Sequence, residues 1–339
     1  MSPLASGLGS QFVLAKEATY GVIPGSPAWR AFEFDSSSLA LDQNTQDGVG
    51  LRAGRIFQPV ARMRQTTREA GGDTPMDVPS KGFGSILDLM HGLVVAPVQQ
   101  AATPAYKSTH NIGTSLPNKS AVLQVNKPQT QGGGADYPVT YPGGVLLSAA
   151  FSLEVGGLMK ATLNWDAQDE LTPDTSPAGP SLVAASYLAD NSTFVGTVGV
   201  SLTIGGVAVA VARALRWTWT QPFRQDRFFL GTSGTKQKPI PNGFGTVTGE
   251  IDVEWFDATA YNHWRNDDTL AIVADVTGRT ISGAYKEQFK NTFGSCKIRG
   301  QSPAIDGQDV LDSTIPFVAG DDGVGVPWVS EYQSTDTAL

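Results

Sequence analysis

The sequence predicts a mainly β protein built as two tandem copies of one strand, loop, strand and helix unit. Two observations predict it: the spacing of turn residues and an internal repeat. The 38 glycines and 21 prolines fall between short runs rich in Val, Thr, Phe and Trp, the pattern of strands punctuated by turns. At 339 residues the length suits two domains. With 40% hydrophobic and 17% charged residues, the chain is too apolar for disorder and can fill sizeable cores.

The first copy runs from Ala31 to Gly92. It opens with the strand AFEFDSSSLAL, followed by a polar, Gly- and Arg-rich excursion from Asp42 to about Thr66. The strand EAGGDTPMDVP then leads into KGFGSILDLMHGL. There Phe83, Ile86, Leu87, Met90 and Leu93 recur at helical spacing, with Ser80 placed to cap. The second copy, Ala214 to Asp268, repeats the order. It reads LRWTWTQPF, the basic excursion RQDRFFLGTSGTKQKPIPNG, the strand TVTGEIDVEW, then FDATAYNHWRND with Ala260, Tyr261 and Trp264 recurring. Both second strands end in an Asp-Val pair, Asp77-Val78 and Asp252-Val253. Downstream, AVLQVNK (121–127) corresponds to LAIVADV (270–276). Two strands around Gly156-Gly157 correspond to two around Asp306-Gly307, laying Tyr141 on Phe293. One order met twice signals duplication.

Between the copies, Pro173, Pro177 and Pro180 interrupt regular structure, and Asp166, Asp169, Glu170 and Asp174 keep the stretch solvated. It reads as a linker. The division is then residues 1–165, a linker at 166–193, and residues 194–339 with an acidic C-terminal tail. The alternative is one large β-sandwich with a long crossing loop.

Chemistry-bearing motifs are scarce. His91, His110 and His263 lie far apart without metal-ligand spacing and read as surface or packing residues. No GxxxxGK[ST], HExxH or GxSxG is present, and Gly132-Gly133-Gly134 reads as a loop tip. Glu250, Asp252 and Glu254 alternate along one strand and share a face. They make either a glycosidase-like cluster or a solvated face opposite Ile251, Val253 and Trp255. No enzyme, cofactor or metal follows from these residues. A lone Cys296 excludes a disulfide framework and suits a reducing compartment. The first residues carry no secretory pattern, and apolar runs such as Val207 to Ala212 are too short to span a membrane. A net charge of −8 and a sequence pI near 4.9 argue against coating DNA.

The charge is unevenly placed. Arg52, Arg55, Arg62, Arg64 and Arg68 crowd residues 48–68, which contain no acid. The second excursion repeats the bias with Arg224, Arg227, Lys236 and Lys238 against Asp226. The final stretch, from Gly300, holds Asp306, Asp309, Asp312, Asp321, Asp322, Glu331 and Asp336 and no Lys or Arg. Guanidinium forks pair well with carboxylates, so the basic excursions and acidic residues 306, 309, 312, 321 and 322 are the candidate contacts between copies of the chain. Complementary patches on one chain imply head-to-tail assembly.

In order, GLGS with E-A-T-Y-G (17–21), GLRAGR (50–55), KGFG (81–84), DAQDE (166–170) and DRFFLG (226–231) resemble the tail tube, or major tail, proteins of long-tailed bacteriophages, particularly those of actinobacterial hosts. Only the final VPWVSEYQSTDTAL has no counterpart in the resemblance. The resemblance implies two tail-tube-like β-sandwich or barrel domains, each with a flanking helix, whose inner strands form a continuous β-barrel in a ring. It implies rings stacked into a hollow tube in the virion tail, assembled in the host cytoplasm. A tape-measure protein would fill the lumen, tail tip and tail terminator proteins would meet the tube ends, and DNA would pass without specific binding. Homotrimeric rings with pseudo-sixfold symmetry follow if both copies enter the barrel, homohexamers if only one does. The rival reading is a β-sandwich adhesin or carbohydrate-binding module using Trp-rich strands as stacking platforms.

Overall fold

Strict alternation builds the central strands. In Ala212–Thr220, Leu215, Trp217 and Trp219 are buried while Arg216, Thr218 and Thr220 take the opposite face. The computed structural model describes residues 7–112, 119–128, 136–255, 258–300 and 312–339. The first half comprises β1 (Phe12–Lys16), β2 (Arg30–Phe32), β3 (Ala40–Asp47), β4 (Met63–Asp77), α1 (Gly84–His91), β5 (Gly92–Gln99) and β6 (Tyr106–Ile112). It continues with β7 (Ala121–Asn126), β8 (Pro138–Glu154) and β9 (Lys160–Ala167). The second half opens with β10 (Val200–Ile204), β11 (Val207–Ala208), β12 (Ala212–Thr220), β13 (Phe223–Arg224), β14 (Ile240–Pro241) and β15 (Thr246–Glu254). After α2 (Thr259–Arg265) come β16 (Leu270–Ser282), β17 (Tyr285–Ile298), β18 (Asp312–Gly320) and β19 (Trp328–Ser334).

The strands pair antiparallel in two series of one order. The first is β3-β4-β9-β8-β7-β1-β2. The second is β12-β15-β18-β17-β16-β10-β11. Registers agree as well as order. β1 meets β7 from Phe12↔Val125 to Lys16↔Ala121, and β10 meets β16 from Val200↔Val276 to Ile204↔Ile272. β8 serves two sheets: its first part pairs with β7 and its last part with β9. β17 pairs with β16 from Tyr285 to Cys296 and with β18 over its last residues. The series are joined edge to edge: β8 pairs β12 from Ser148↔Thr220 to Glu154↔Ala214. The mainly β architecture is therefore as read from the sequence, but in this chain the sheet stays open, with β3 at one edge.

One aromatic core spans the junction. Phe151 stacks on Trp217 at 4.9 Å between ring centroids, Trp217 meets Phe293 edge-on at 6.1 Å, and Phe293 stacks on Trp328 at 6.1 Å. Gly249 makes room for this layer, since a Cβ there would come within 2.4 Å of the Phe317 ring.

Several local expectations change. The first strand is split, because β2 pairs with β1 while β3 pairs with β4. The Arg-rich excursion has strand at both ends, since β4 begins at Met63 and pairs with β3 out to Asp47, and only residues 48–62 remain as its tip. Ser80 does not cap α1. Its hydroxyl donates to Glu287 Oε1 at 2.9 Å, and buried Phe83 stands at the N-cap. All eight residues of α1 are buried and it stops at His91, so Leu93 lies exposed on β5. Asp166 and Asp169 are not solvated but buried, because cations of other segments meet them. The proline-rich stretch lies along the body: Leu171 exchanges backbone bonds with Thr140, and Val183 and Ser181 bind Gln11 and Gln124.

Two additions have no counterpart in the other series. The β5–β6 hairpin enters after α1, and β19 pairs with both β17 and β6. The final segment thus ties the first half's hairpin to the second half's sheet through Trp328 and Tyr332, both buried. Trp328→Ala removes one of the largest core side chains, and urea denaturation should show a loss of about 3–5 kcal/mol.

His91 and His110 meet in this core with ring centroids 6.0 Å apart, and His91 packs on Trp328 at 4.2 Å. Burial disfavours the imidazolium and pushes His91 down to about 3 and His110 down to about 4. Unfolded, both titrate near 6.5, so below that pH the unfolded chain takes up protons the folded one refuses. Their contribution is present above about pH 6.5 and is lost as pH falls toward 4, at about 1.4 kcal/mol per unit and group. Urea midpoints measured from pH 8 to 4 should drop across that window, less steeply in His91→Leu.

Candidate functional site

A run of exposed large apolar residues sits beside the densest basic cluster. Beyond Ala70, where β9 stops pairing, β3 and β4 continue as a two-stranded arm exposed on both faces. Its tip, residues 48–62, exposes Val49, Leu51, Ile56, Phe57 and Val60 together with Arg52 and Arg55. The arm is braced internally. Arg62 Nη1 donates to the Gly50 carbonyl at 3.0 Å, and Gln65 binds Gln43 at 2.8 Å. Among the described residues no carboxylate pairs with Arg52, Arg55, Arg62 or Arg64, whereas Arg68 at the base pairs with Asp169 at 2.9 Å. Exposed apolar side chains thus stand beside guanidiniums that have no carboxylate partner among the described residues.

The second excursion, between β12 and β15, lies down on the first half instead. Gly234 accepts from the Arg68 N–H at 2.9 Å, and Gln168 donates to the Lys236 carbonyl at 2.9 Å. Lys236 is fully buried and bridges Asp166 and Glu69, the latter at 2.8 Å. Burial raises the Asp166 carboxyl to about 6 in spite of the lysine. Lys236 is thus spent within its own subunit. Arg224 pairs with Asp226 at 3.0 Å, and Arg227 donates to the Lys238 carbonyl. Phe229, Leu230 and Phe244 remain exposed on this loop.

The polar face of the joined sheet carries the alternating carboxylates. Arg216 binds Glu154 at 2.6 Å, Asp252 at 2.7 Å and Glu250 at 3.1 Å. Arg213 binds Glu254, and Asp312 at 3.5 Å. Ile251 and Val253 are buried behind them, so these carboxylates form a solvated, ion-paired face. Among the described residues no group of three or more His, Cys, Asp or Glu is arranged to hold a metal ion. Trp165, Trp217, Trp219 and Trp328 are fully buried, which removes the strand tryptophans as carbohydrate platforms.

The predicted acids are scattered. Asp312 lies at the sheet end opposite the arm. Asp321 and Asp322 shape the turn before β19. There Asp322 accepts from Gly325 and Val324 N–H groups at 2.9 Å and from Ser295, bonds that hold its carboxyl at about 2. Asp306 and Asp309 lie outside the described residues. Reading by segment missed Glu154, Arg213 and Arg216, because only cross-strand register brings them together. It also missed Leu51, Ile56 and Phe57, whose signal was the run of large apolar residues within an otherwise polar loop.

The quoted motifs divide cleanly between scaffold and surface. Glu17 of E-A-T-Y-G accepts from Gly21 N–H at 3.0 Å, Gly143 N–H at 2.8 Å and the Ser120 hydroxyl at 2.7 Å, knitting three segments. In KGFG, Gly82 N–H donates to Asp336 and Phe83 is buried. GLRAGR and the Phe-Leu of DRFFLG are exposed.

The described residues thus form a β body with projecting loops and an ion-paired polar face. The family model described as phage tail tube protein matches residues 7–319, and the chain belongs to that family. It is therefore a structural protein of the virion tail. No curated protein matches it.

Replacing Lys236 by Met leaves Asp166 and Glu69 facing each other without a cation. Breaking a buried pair from one side costs about 3–5 kcal/mol. Urea denaturation should register that loss, and adding Asp166→Asn should recover most of it.

Proposed function

We propose that the chain forms rings by edge-to-edge strand pairing and that the rings stack into the hollow tail tube through which viral DNA leaves. The observation that carries this is the repeat. Within one chain the last inner strand of the first series, β8, pairs with the first inner strand of the second, β12. The corresponding strands at the two ends are β17 and β3. β3 pairs only with β4, and among the described residues β17 beyond Cys296 pairs only with β18. Open strand edges of complementary register are ready templates for pairing. Repeating the β8–β12 junction between copies would set the Ala40 end of β3 against the Lys297–Ile298 end of β17.

In this reading the two series, at 1–165 and 194–339, are two tube units, and residues 166–193 connect them. Three chains then supply six units, giving true threefold and pseudo-sixfold symmetry in a continuous barrel. The polar face, with carboxylates in excess of Lys160, Arg213 and Arg216, would line the lumen. A negative wall repels phosphate and keeps DNA from adhering. Tape-measure protein would occupy the lumen first, and tail tip and terminator proteins would close the ends. The motif order supports an actinobacterial host.

Purified protein, alone or with tail tip complex, should assemble into tubes visible by negative stain. Mass per layer by cryo-microscopy or native mass spectrometry should correspond to three chains. Six chains per layer would refute the trimer, and persistent monomers with tip complex present would refute the tube.

A further inference from the structure

We infer that the buried Lys236–Asp166 pair is a self-modifying site, at which the lysine Nζ and the aspartate Cγ condense into an intramolecular isopeptide bond with Glu69 carrying the proton. Lys236 Nζ contacts Asp166 Oδ1 directly and lies 2.8 Å from Glu69 Oε2. The lysine side chain is wholly shielded from solvent, and that of Asp166 is 6% exposed. Among the described residues no other lysine is buried. An amine held against a carboxyl where water is excluded reacts within one molecule, at an effective concentration of about 10⁵ M or more.

Both partners are held in place by their backbones. Around the lysine, Arg68 N–H donates to the Gly234 carbonyl, Gln168 Nε2 to the Lys236 carbonyl and Gln237 N–H to the Arg227 carbonyl, each at 2.9 Å. Asp166 sits within β9, in register with Gly71 on one side and Val145 on the other. Its second oxygen, Oδ2, is buried without a hydrogen-bond partner among the described residues, so no contact opposes its departure. Burial raises the Asp166 carboxyl to about 6 against the pull of the lysine, which populates near neutral pH the acid form an amine attacks. Other close lysine–carboxylate contacts lack this setting. Lys16 and Lys119 bind Asp88 from side chains 32% and 33% exposed. Burial raises the Asp88 carboxyl, but the hydrogen bonds from Lys119 and Lys16 outweigh it and hold it below its usual range. Lys160 meets Asp35 and Asp77 from a half-exposed position.

The reaction balances within the triad. A proton passes from the ammonium to the Asp166 carboxylate, leaving an amine beside a carboxylic acid. Nζ attacks Cγ and the C–N bond forms. The Glu69 carboxylate takes a proton from the nitrogen and returns it to the departing hydroxyl. The C–OH bond breaks, one water leaves, and a positive and a negative charge disappear together. The product ties the excursion between β12 and β15 covalently to β9 of the first half.

Mass spectrometry of the purified chain tests this before any assembly, so the outcome is separate from that of the tube reading. The intact mass should fall short of the sequence mass by one water. Trypsin should leave Lys236 uncut and release a branched peptide holding both Lys236 and Asp166. Lys236→Arg and Asp166→Ala should each keep the full mass. Glu69→Gln, checked for a native circular dichroism spectrum, should remain at full mass when the unaltered chain is converted, a slowing of about 10²-fold. An unaltered chain that is folded by circular dichroism yet has its full sequence mass overturns the bond. So does a water loss that maps to a single linear peptide or persists in Lys236→Arg. Conversion of Glu69→Gln at the unaltered rate overturns the role of Glu69.

Discussion

Everything in this molecule hangs on the antiparallel pairing of β8 with β12. It fuses two equivalent series of strands into one sheet, and its two partners also carry the core. Phe151 and Trp217 stand side by side on these strands and stack face to face. Above them lie Phe289 and Phe293 of β17. Neither half buries its aromatic layer alone, because the rings of one half fill space left by the other. The two series are therefore not two beads on a string.

That fusion explains the division of labour between the two excursions. Both leave the same end of the sheet, between the first and second strands of their series. The second has a neighbour in its own chain and lies down on it, burying Lys236. The first leaves the sheet edge at β3, where the chain offers no neighbour, and stands out as an arm. Equivalent segments differ here because their surroundings differ, and the sequence marks the difference. The folded loop buries Lys236 between two carboxylates, a cation for which the arm has no buried equivalent.

The repeat was legible in the sequence because strand alternation and loop composition survive divergence. The strands flanking each excursion, the strand after each helix, the approximate helix positions and the solvated face of Glu250, Asp252 and Glu254 could be read there. What was not legible depended on contacts between distant segments. Asp166 and Asp169 look like solvated linker residues until Lys236 and Arg68 arrive from elsewhere. Ser80 has the chemistry of a cap, but Glu287 from the other half takes its hydroxyl. The arm read as loop because its strands have polar residues on both faces, leaving no alternation to detect. The final segment beyond Gly320 gave no recognisable pattern, although β19 is paired on both sides, with β17 and β6.

The dual membership of β8 has a mechanical consequence. Its first part pairs with β7 and its last part with β9 and β12, without a break in the backbone. The two sets of strands are therefore stitched by covalent bonds rather than held by side-chain packing alone. A force that drags one set past the other would load peptide bonds before it could slide the aromatic rings.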